Sequence, residues 1–166
     1  MAQEQGSRTV VMSPGQTVEG KKLIIRCLAP DGETLAETGN AASLVLEGCY
    51  GELDMLFTGD VEGEGEELLT AVLEKEYEVL KTAHHGSKNS TCEEFLEIVH
   101  PRLAVISAGR DNRYGHPHEE TLEKLEKTGT VVFNTAESGA VILKAYGKDV
   151  ANLKIIQYNR SYEKLK

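Results

Sequence analysis

The sequence has few cysteines and no long apolar run, and each shortage excludes a class of protein. Its three cysteines, Cys27, Cys49 and Cys92, lie far apart in or beside apolar runs, so neither a disulfide framework nor a Cys-x-x-Cys metal site is indicated. No run approaches the roughly 18 apolar residues that a membrane-spanning helix requires. Residues 1–7 also lack the apolar core of a signal peptide. We therefore expect a chain that is soluble as given and makes no membrane contact itself.

Positive charge is also scarce. Lysine and arginine number 18 against 27 aspartates and glutamates, which gives a formal net charge of -9 and a pI near 5.1. Proteins bind nucleic-acid phosphates largely through lysine and arginine, so unaided affinity for nucleic acid is disfavoured. A nucleic-acid substrate would need bound cations or a basic partner. The length of 166 residues and the hydrophobic content of 40% suit one folded domain over residues 1–166.

The order of short elements is typical of a layered α/β protein. Apolar runs and turn residues predict strands at 22–28, 42–46, 53–58, 78–82, 103–107, 130–134, 140–145 and 153–158. Helical periodicity predicts helices that begin near Glu64, Thr91 and Pro117. The prediction is an antiparallel meander followed by strand-helix alternation, with a mixed sheet that carries helices on one face. The other face would then need a partner.

Two strand pairings can be predicted from the turn residues. Strands 42–46 and 53–58 flank Gly48-Cys49-Tyr50-Gly51 and are expected to form an antiparallel hairpin. Strands 130–134 and 140–145 are expected to pair about a turn at 137–139. The partner of the last strand, 153–158, cannot be assigned from the sequence.

Two of the apolar runs end at side chains that can bind a metal. Asp60 follows a strand and a glycine, a position from which a carboxylate can point out of the end of a sheet. Its alternative role is that of a turn residue that caps the following helix. His84 and His85 follow the strand at 78–82, and imidazole suits zinc, manganese or iron. On a strand end their rings would face opposite sides, so one of them would point at a given metal; the alternative is an ordinary surface or core pair.

The residues around these histidines suggest substrate contacts. The loop that contains Ser87 is small and polar and could approach a phosphate or carboxylate with its backbone N–H groups, although it could equally be a connector with a helix cap. Asn112, Tyr114, His116 and His118 lie in a third cluster, Asn-Arg-Tyr-Gly-His-Pro-His, which again follows a buried strand. We expect His116 or His118 to assist proton transfer or substrate binding.

Four segments together resemble the metallo-β-lactamase-fold domain of ComEC-type DNA-uptake competence proteins and related stand-alone hydrolases, in its C-terminal half. They are Asn-Ala-Ala-Ser-Leu-Val-Leu at 40–46, Leu-Phe-Thr-Gly-Asp at 56–60, Val-Leu-Lys-Thr-Ala-His-His-Gly-Ser at 79–87 and the cluster at 112–118. The similarity runs from about residue 22 to about residue 143 in matching order. It implies half to most of an αββα sandwich, with a site for one or two divalent metals, zinc or manganese, at the sheet ends.

The resemblance also implies roles for individual residues. Asp60 matches the carboxylate that binds or bridges the metals, and the pair His84 and His85 matches the last histidine ligand, with His84 favoured. From their own placement after the strands, His116 and His118 are expected to act as catalytic groups beside Asp60, and Ser87, Asn112 and Tyr114 to contact the substrate. The implied activity is hydrolysis of a phosphodiester such as DNA, in a bacterial parent protein that could be attached to a membrane.

One departure from the family pattern is large. The His-x-His-x-Asp-His motif of the first half is absent, since no histidine precedes His84. The chain alone is therefore expected to hold metal weakly or not at all, and whether it is an enzyme by itself stays open. The alternative function is a non-catalytic scaffold or association module. Such a module would pair its exposed sheet with a second copy or with a chain that carries the missing half.

Overall fold

The computed structural model describes residue 6 and residues 9–32, 39–145 and 153–158. Nine strands and four helices lie in these segments, besides two short 3-10 turns at Gly39–Ala42 and Ala83–Gly86. The strands are β1 Thr17–Glu19, β2 Leu23–Ala29, β3 Val45–Tyr50, β4 Leu53–Phe57, β5 Val79–Lys81, β6 Leu103–Ile106, β7 Val131–Asn134, β8 Ala140–Ala145 and β9 Leu153–Tyr158. The helices are α1 Glu64–Val72, α2 Glu93–Val99, α3 Glu119–Lys127 and the single turn α4 Thr135–Ser138.

Strands β1 to β7 form one mixed sheet in chain order. The first four strands pair antiparallel and the last four pair parallel, with β4 common to both parts. The predicted meander followed by strand-helix alternation is confirmed. Because β4 to β7 are parallel, their carboxyl ends lie along one edge, where open α/β sheets place their chemistry.

Helices α1, α2 and α3 cover one face of this sheet. Their inward side chains, among them Leu69, Phe95 and Leu125, pack with Leu56 and Leu80 of the central strands in one buried cluster. Each such side chain stabilises the fold by about 1.5–3 kcal/mol when it is removed from water. Among the described residues, no helix is both long enough and apolar enough to cross a membrane.

The opposite face of the sheet is partly covered by a two-stranded antiparallel sheet made of β8 and β9. Leu143, Leu153 and Ile155 of this hairpin pack against Leu53, Val79 and Leu103 of the main sheet. The pairing predicted for 130–134 with 140–145 is therefore wrong, because helix α4 separates the two strands and β7 joins the main sheet beside β6. The hairpin supplies the start of a second layer on this face.

Four predicted boundaries also need correction. The β3–β4 hairpin is confirmed, but its two-residue turn is Gly51-Glu52 and Gly48 lies within β3, where its missing side chain leaves room for Met55 and Phe57. Strand β3 begins at Val45, because 39–42 forms a 3-10 turn. Helices α2 and α3 begin later than predicted, after Cys92 and His118 respectively. Pro117 thus precedes α3 instead of lying in its first turn.

Candidate metal centre

Three loops meet at the carboxyl edge of the parallel strands. They follow β4, β5 and β6 and span residues 58–62, 82–92 and 107–118. Backbone hydrogen bonds join them: His84 N–H donates to the Gly59 carbonyl at 3.1 Å, and His118 N–H donates to the Gly86 carbonyl at 2.9 Å. All the site residues predicted from the sequence lie on these loops.

Asp60 is presented by a tight glycine turn. Gly59 has a φ of 57°, and a Cβ at this position would lie 2.9 Å from the Leu44 carbonyl oxygen. Only glycine allows both the left-handed backbone and this close approach. The Asp60 N–H donates to the Ser43 hydroxyl at 3.3 Å, and the Asp60 side chain is 45% exposed. The carboxylate is therefore held at the sheet edge and open to a ligand.

His84 and His85 lie in a 3-10 turn and not on a strand end. Both have left-handed backbones, with φ values of 42° and 56°, which are uncommon for residues other than glycine and cluster at functional sites. The expectation that their rings face opposite sides, which assumed strand geometry, is therefore wrong. The ring centroids lie 6.2 Å apart, and both rings border His116.

His85 is the histidine of the pair nearer to Asp60. Its Nδ1 lies 2.6 Å from the Ser107 carbonyl oxygen and its Nε2 lies 3.7 Å from Asp60 Oδ1. Because a carbonyl only accepts hydrogen bonds, Nδ1 carries a proton and the neutral ring presents an Nε2 lone pair beside the carboxylate. A metal-binding histidine is commonly held in this way. The geometry favours His85 over His84 as the partner of Asp60.

His84 is held by Glu62, which the sequence analysis did not single out. The Glu62 carboxylate lies 2.8 Å from His84 Nδ1 and accepts a hydrogen bond of 2.9 Å from the Asn40 side-chain amide. Burial raises the pKa of Glu62, but the bonds from His84 and Asn40 outweigh burial and leave this pKa below its usual value. An ionised carboxylate only accepts, so His84 also carries its proton on Nδ1 and leaves Nε2 free.

His116 joins the other aromatic side chains of the edge. Its ring centroid lies 5.4 Å from that of His84, 6.3 Å from His85, 4.8 Å from His118 and 5.7 Å from Tyr114. Burial, followed by the neighbouring histidines, lowers the pKa of His116. His118 Nδ1 accepts the Lys88 N–H at 3.3 Å, so His118 presents an Nε2–H donor when neutral. Proton transfer by His116 and His118 stays a prediction.

Tyr114 is the most accessible of the predicted substrate-binding residues, with 61% of it exposed. Together with His85, Asn112 and His116 it lines an open pocket of about 430 Å³ against the backbone of 107–109. The Tyr114 hydroxyl accepts a hydrogen bond of 2.6 Å from the Arg113 guanidinium. The exposure of Tyr114 supports a substrate contact, which stays a prediction.

Ser87 and Asn112 are occupied within the protein. Ser87 is only 3% exposed, and its hydroxyl accepts the Asn89 N–H at 3.3 Å. The Asn112 amide donates to the carbonyls of Gly109 and His116, at 2.7 and 2.6 Å, and its oxygen accepts the His116 N–H. These bonds favour a role in holding the loops over direct contact with substrate.

The described donor set of the edge is too small for a metal by itself. Asp60 and His85 converge, and His84 presents a second imidazole, yet across the described residues no three His, Cys, Asp or Glu side chains come close enough to hold an ion together. A zinc site takes about three or four protein ligands. Asp60, His84 and His85 therefore do not make up a complete zinc site among the described residues.

Comparison with known proteins identifies a family and several relatives. The family model described as the metallo-beta-lactamase superfamily matches residues 29–110. ComE operon protein 3 of Bacillus subtilis is 38% identical over 141 residues, which cover 84% of this chain and 18% of that protein. Recombination protein 2 of Haemophilus influenzae is 41% identical, over 61% of this chain and 13% of that protein. Competence protein ComA of Neisseria gonorrhoeae is 36% identical, over 61% and 15%.

The chain thus spans less than a fifth of the length of these three relatives. A crystal structure of a candidate metal-dependent hydrolase from Parabacteroides distasonis has the same fold, with a TM-score of 0.50 and 13% identity over 80% of this chain and 60% of that one. The four motifs predicted from the sequence lie in or next to the matched region. The chain belongs to the metallo-β-lactamase superfamily and carries a ComEC-type segment of that domain.

Proposed function

We propose that this chain supplies one side of a divalent-metal site that hydrolyses phosphodiesters, in a ComEC-type protein linked to DNA uptake. The observation that carries the proposal is the paired presentation of His84 and His85. Each ring donates from Nδ1 to a fixed acceptor and leaves Nε2 free, and His85 Nε2 lies 3.7 Å from Asp60. Bound zinc or manganese would supply an activated water for hydrolysis.

The remaining ligands would come from a His-x-His-x-Asp-His motif elsewhere in a longer protein or in a second chain. In that complete site Asp60 and His85 would be ligands, with His84 as a third. His116 and His118 would lie within reach of the leaving group, and Tyr114 would border the substrate. The relatives support DNA as the substrate, because they are named for recombination and competence.

A phosphodiesterase assay of the completed site tests the proposal. The chain is combined with a polypeptide that carries the missing motif, loaded with zinc or manganese, and given bis(p-nitrophenyl) phosphate. We expect Asp60→Ala to lower turnover by more than about 100-fold, since losing a ligand should cost more than losing an outer-shell partner. Glu52→Ala, which removes an exposed carboxylate from the β3–β4 turn, is the matched control.

The histidines need separate variants. His85→Ala is expected to act like Asp60→Ala, while His100→Asn changes a histidine at the end of α2 and should have no effect. His116→Ala and His118→Ala should each lower turnover by about 10² or more if they transfer protons. Full turnover in Asp60→Ala would contradict the proposal, and full turnover in both His116→Ala and His118→Ala would remove these two residues from it.

The second candidate function is a non-catalytic association module. The sheet face opposite the helices favours it, because the β8–β9 hairpin covers this face only in part and leaves Phe57 and Val131 43% and 56% exposed. A second copy or the missing half would bury these side chains. Mass by light scattering distinguishes the two partners: a dimer of the pure chain indicates self-association, and a monomer that binds only the complementary half indicates a shared domain.

A further inference from the structure

Lys81 is the charged residue in a row of apolar side chains that runs across neighbouring strands. The row lies near the carboxyl ends of four neighbouring strands and consists of Phe57, Lys81, Val105 and Phe133, which are register partners. Val105 and Phe133 pack toward the β8–β9 hairpin, so the row belongs to the face opposite the helices. Lysine is rarely placed in such a row on a central strand, because burying the ammonium without a partner is costly.

The ammonium of Lys81 makes few contacts. Its Nζ donates to the Thr82 carbonyl at 2.7 Å, and no ion pair within 4.0 Å reaches it from any described residue. An ammonium has three N–H donors, so two remain for a ligand. Burial lowers the pKa of Lys81, and the negative charge of Asp60 partly opposes this effect.

The backbone that carries Lys81 is firmly held. The Lys81 carbonyl accepts the buried Thr58 hydroxyl at 2.6 Å, and the Thr82 N–H donates to the Val105 carbonyl at 3.0 Å. The Lys81 backbone is therefore anchored between the loop of Asp60 and the turn of His84. In a chain of net charge -9, its ammonium is a positive group that interacts with Asp60 of the candidate metal centre.

From this placement we infer that Lys81 is an oxyanion-binding residue that takes a phosphate group of the substrate at the edge of the candidate metal centre. The inference rests on the proposed function for the identity of the substrate. Lysine suits this role because its compact ammonium binds phosphate as a point charge. A phosphate at Lys81 would use the two spare donors and would lie on the side of the sheet that faces the second layer.

Titration of the full chain with inorganic phosphate, without metal, tests the inference. The ionic strength is held constant with chloride, and the amide signals of Thr82 and His84 report binding in NMR spectra. We expect a saturable shift at these amides. Lys81→Met should weaken phosphate binding by about tenfold or more, the loss of one charge-assisted contact, and Lys81→Arg should stay within about threefold. Lys127→Met removes an exposed lysine of α3 and should change nothing.

Urea unfolding of the same variants separates binding from folding. A lysine kept for a ligand should be dispensable for stability, so Lys81→Met should unfold at the same or a higher urea concentration than the natural chain. Unchanged phosphate binding in Lys81→Met, no binding by the natural chain, or a Lys81→Met variant that is less stable would each overturn the inference. Because no hydrolysis is measured, an inactive completed site would remove the proposed function and leave the anion site standing.

Discussion

Two groups of charged side chains in this molecule are organised in opposite ways. One surrounds Glu47 on the helix-covered face of the sheet, and the other surrounds His85 at the carboxyl edge. Glu47 is 2% exposed, and its carboxylate contacts the Tyr77 hydroxyl at 3.2 Å, Lys75 at 2.6 Å and Arg26 at 3.1 Å. Lys75 also binds Asp54 at 2.6 Å. The Glu47 group is therefore neutralised by its own members.

The group around His85 is left incomplete. Asp60 and His85 are each close to half exposed, with Oδ1 and Nε2 3.7 Å apart. Among the described residues, the hydrogen bonds of the His84 and His85 side chains involve Nδ1 and leave Nε2 without one. The backbone beneath them is left-handed at three consecutive residues, His84 to Gly86. The difference teaches that the protein satisfies the charges of the first group with its own side chains, whereas it leaves those of the second open to solvent.

The largest expected effect is the removal of Glu47. Glu47→Ala should lower the free energy of unfolding by about 3 kcal/mol, because Lys75 and the Tyr77 hydroxyl lose their buried partner. Asp60→Ala should change it by about 0.5 kcal/mol or less, as is usual for exposed positions. Urea denaturation of both variants measures the two losses of unfolding free energy directly. Equal losses in the two variants would break the distinction between the two groups.

Strain at the candidate site gives the next largest effect. Gly86 has a φ of +82°, and a Cβ there would lie 2.7 Å from Pro117 Cβ. Gly86→Ala should therefore cost about 2 to 3 kcal/mol, from the left-handed backbone together with the clash. Gly129→Ala, with a φ of +73° and open space around the Cβ, should cost only about 1 kcal/mol. Thermal or urea unfolding would show no difference between these variants if the contact with Pro117 were unimportant.

Alkaline pH should weaken the Glu47 group. Burial, together with the negative charge of Glu47, raises the pKa of Tyr77 above its ordinary value of 10.0, and burial raises the pKa of Cys49 to about 11. A group with a raised pKa in the folded state contributes stability that is complete below its unfolded pKa and is lost as the pH rises through the folded one. The free energy of unfolding should therefore fall as the pH rises above about 9 to 10.

Tyr77→Phe identifies the source of that loss. The variant should be about 1 kcal/mol less stable at neutral pH, because one hydrogen bond to Glu47 is missing, and its stability should fall less steeply above pH 10. Tyr50→Phe, on β3 but outside this group, should keep the full slope. Identical slopes in all three proteins would show that Tyr77 does not contribute to the alkaline loss.

The smallest effect concerns the tautomer of His84. Glu62→Ala removes the acceptor of the His84 Nδ1 proton, so the neutral His84 ring should become a mixture of the Nδ1–H and Nε2–H tautomers. His85 should stay in the Nδ1–H tautomer, because the Ser107 carbonyl remains. Long-range ¹H–¹⁵N spectra of neutral histidine distinguish the two forms. An unchanged His84 signal in Glu62→Ala would contradict the role of Glu62 in orienting the ring.

Much of the fold could be predicted because its elements obey local rules. Short apolar runs between turn residues indicate β2 to β6, and the acidic first turn with a buried face indicates α1. The predicted β7–β8 pairing is wrong, because nothing local distinguishes the Glu137-Ser138-Gly139 sequence as a hairpin turn from the end of a helical turn. The pairing of β8 with β9 depends on contacts with Leu53, Val79 and Leu103, which are distant in the sequence.

The sequence predicts which residues lie at the candidate site better than it predicts how their side chains are arranged. Asp60, His84, His85 and His116 all meet at one edge, as the positions after successive strands indicate. The side on which each histidine ring lies depends on the left-handed turn at 84–86, which the residues His-His-Gly do not reveal. Glu62 was missed because it is one of many glutamates between residues 62 and 78, and only the contact with His84 distinguishes it.

Metal retention measured with and without the complementary half tests most directly whether the edge around His85 is one side of a shared site. The chain is incubated with zinc, dialysed extensively and analysed for metal, alone and together with a polypeptide that carries the His-x-His-x-Asp-His motif. We expect little zinc on the chain alone and near-stoichiometric zinc on the pair, lost again in Asp60→Ala. Tight stoichiometric zinc on the chain alone, or none on the pair, would contradict this interpretation.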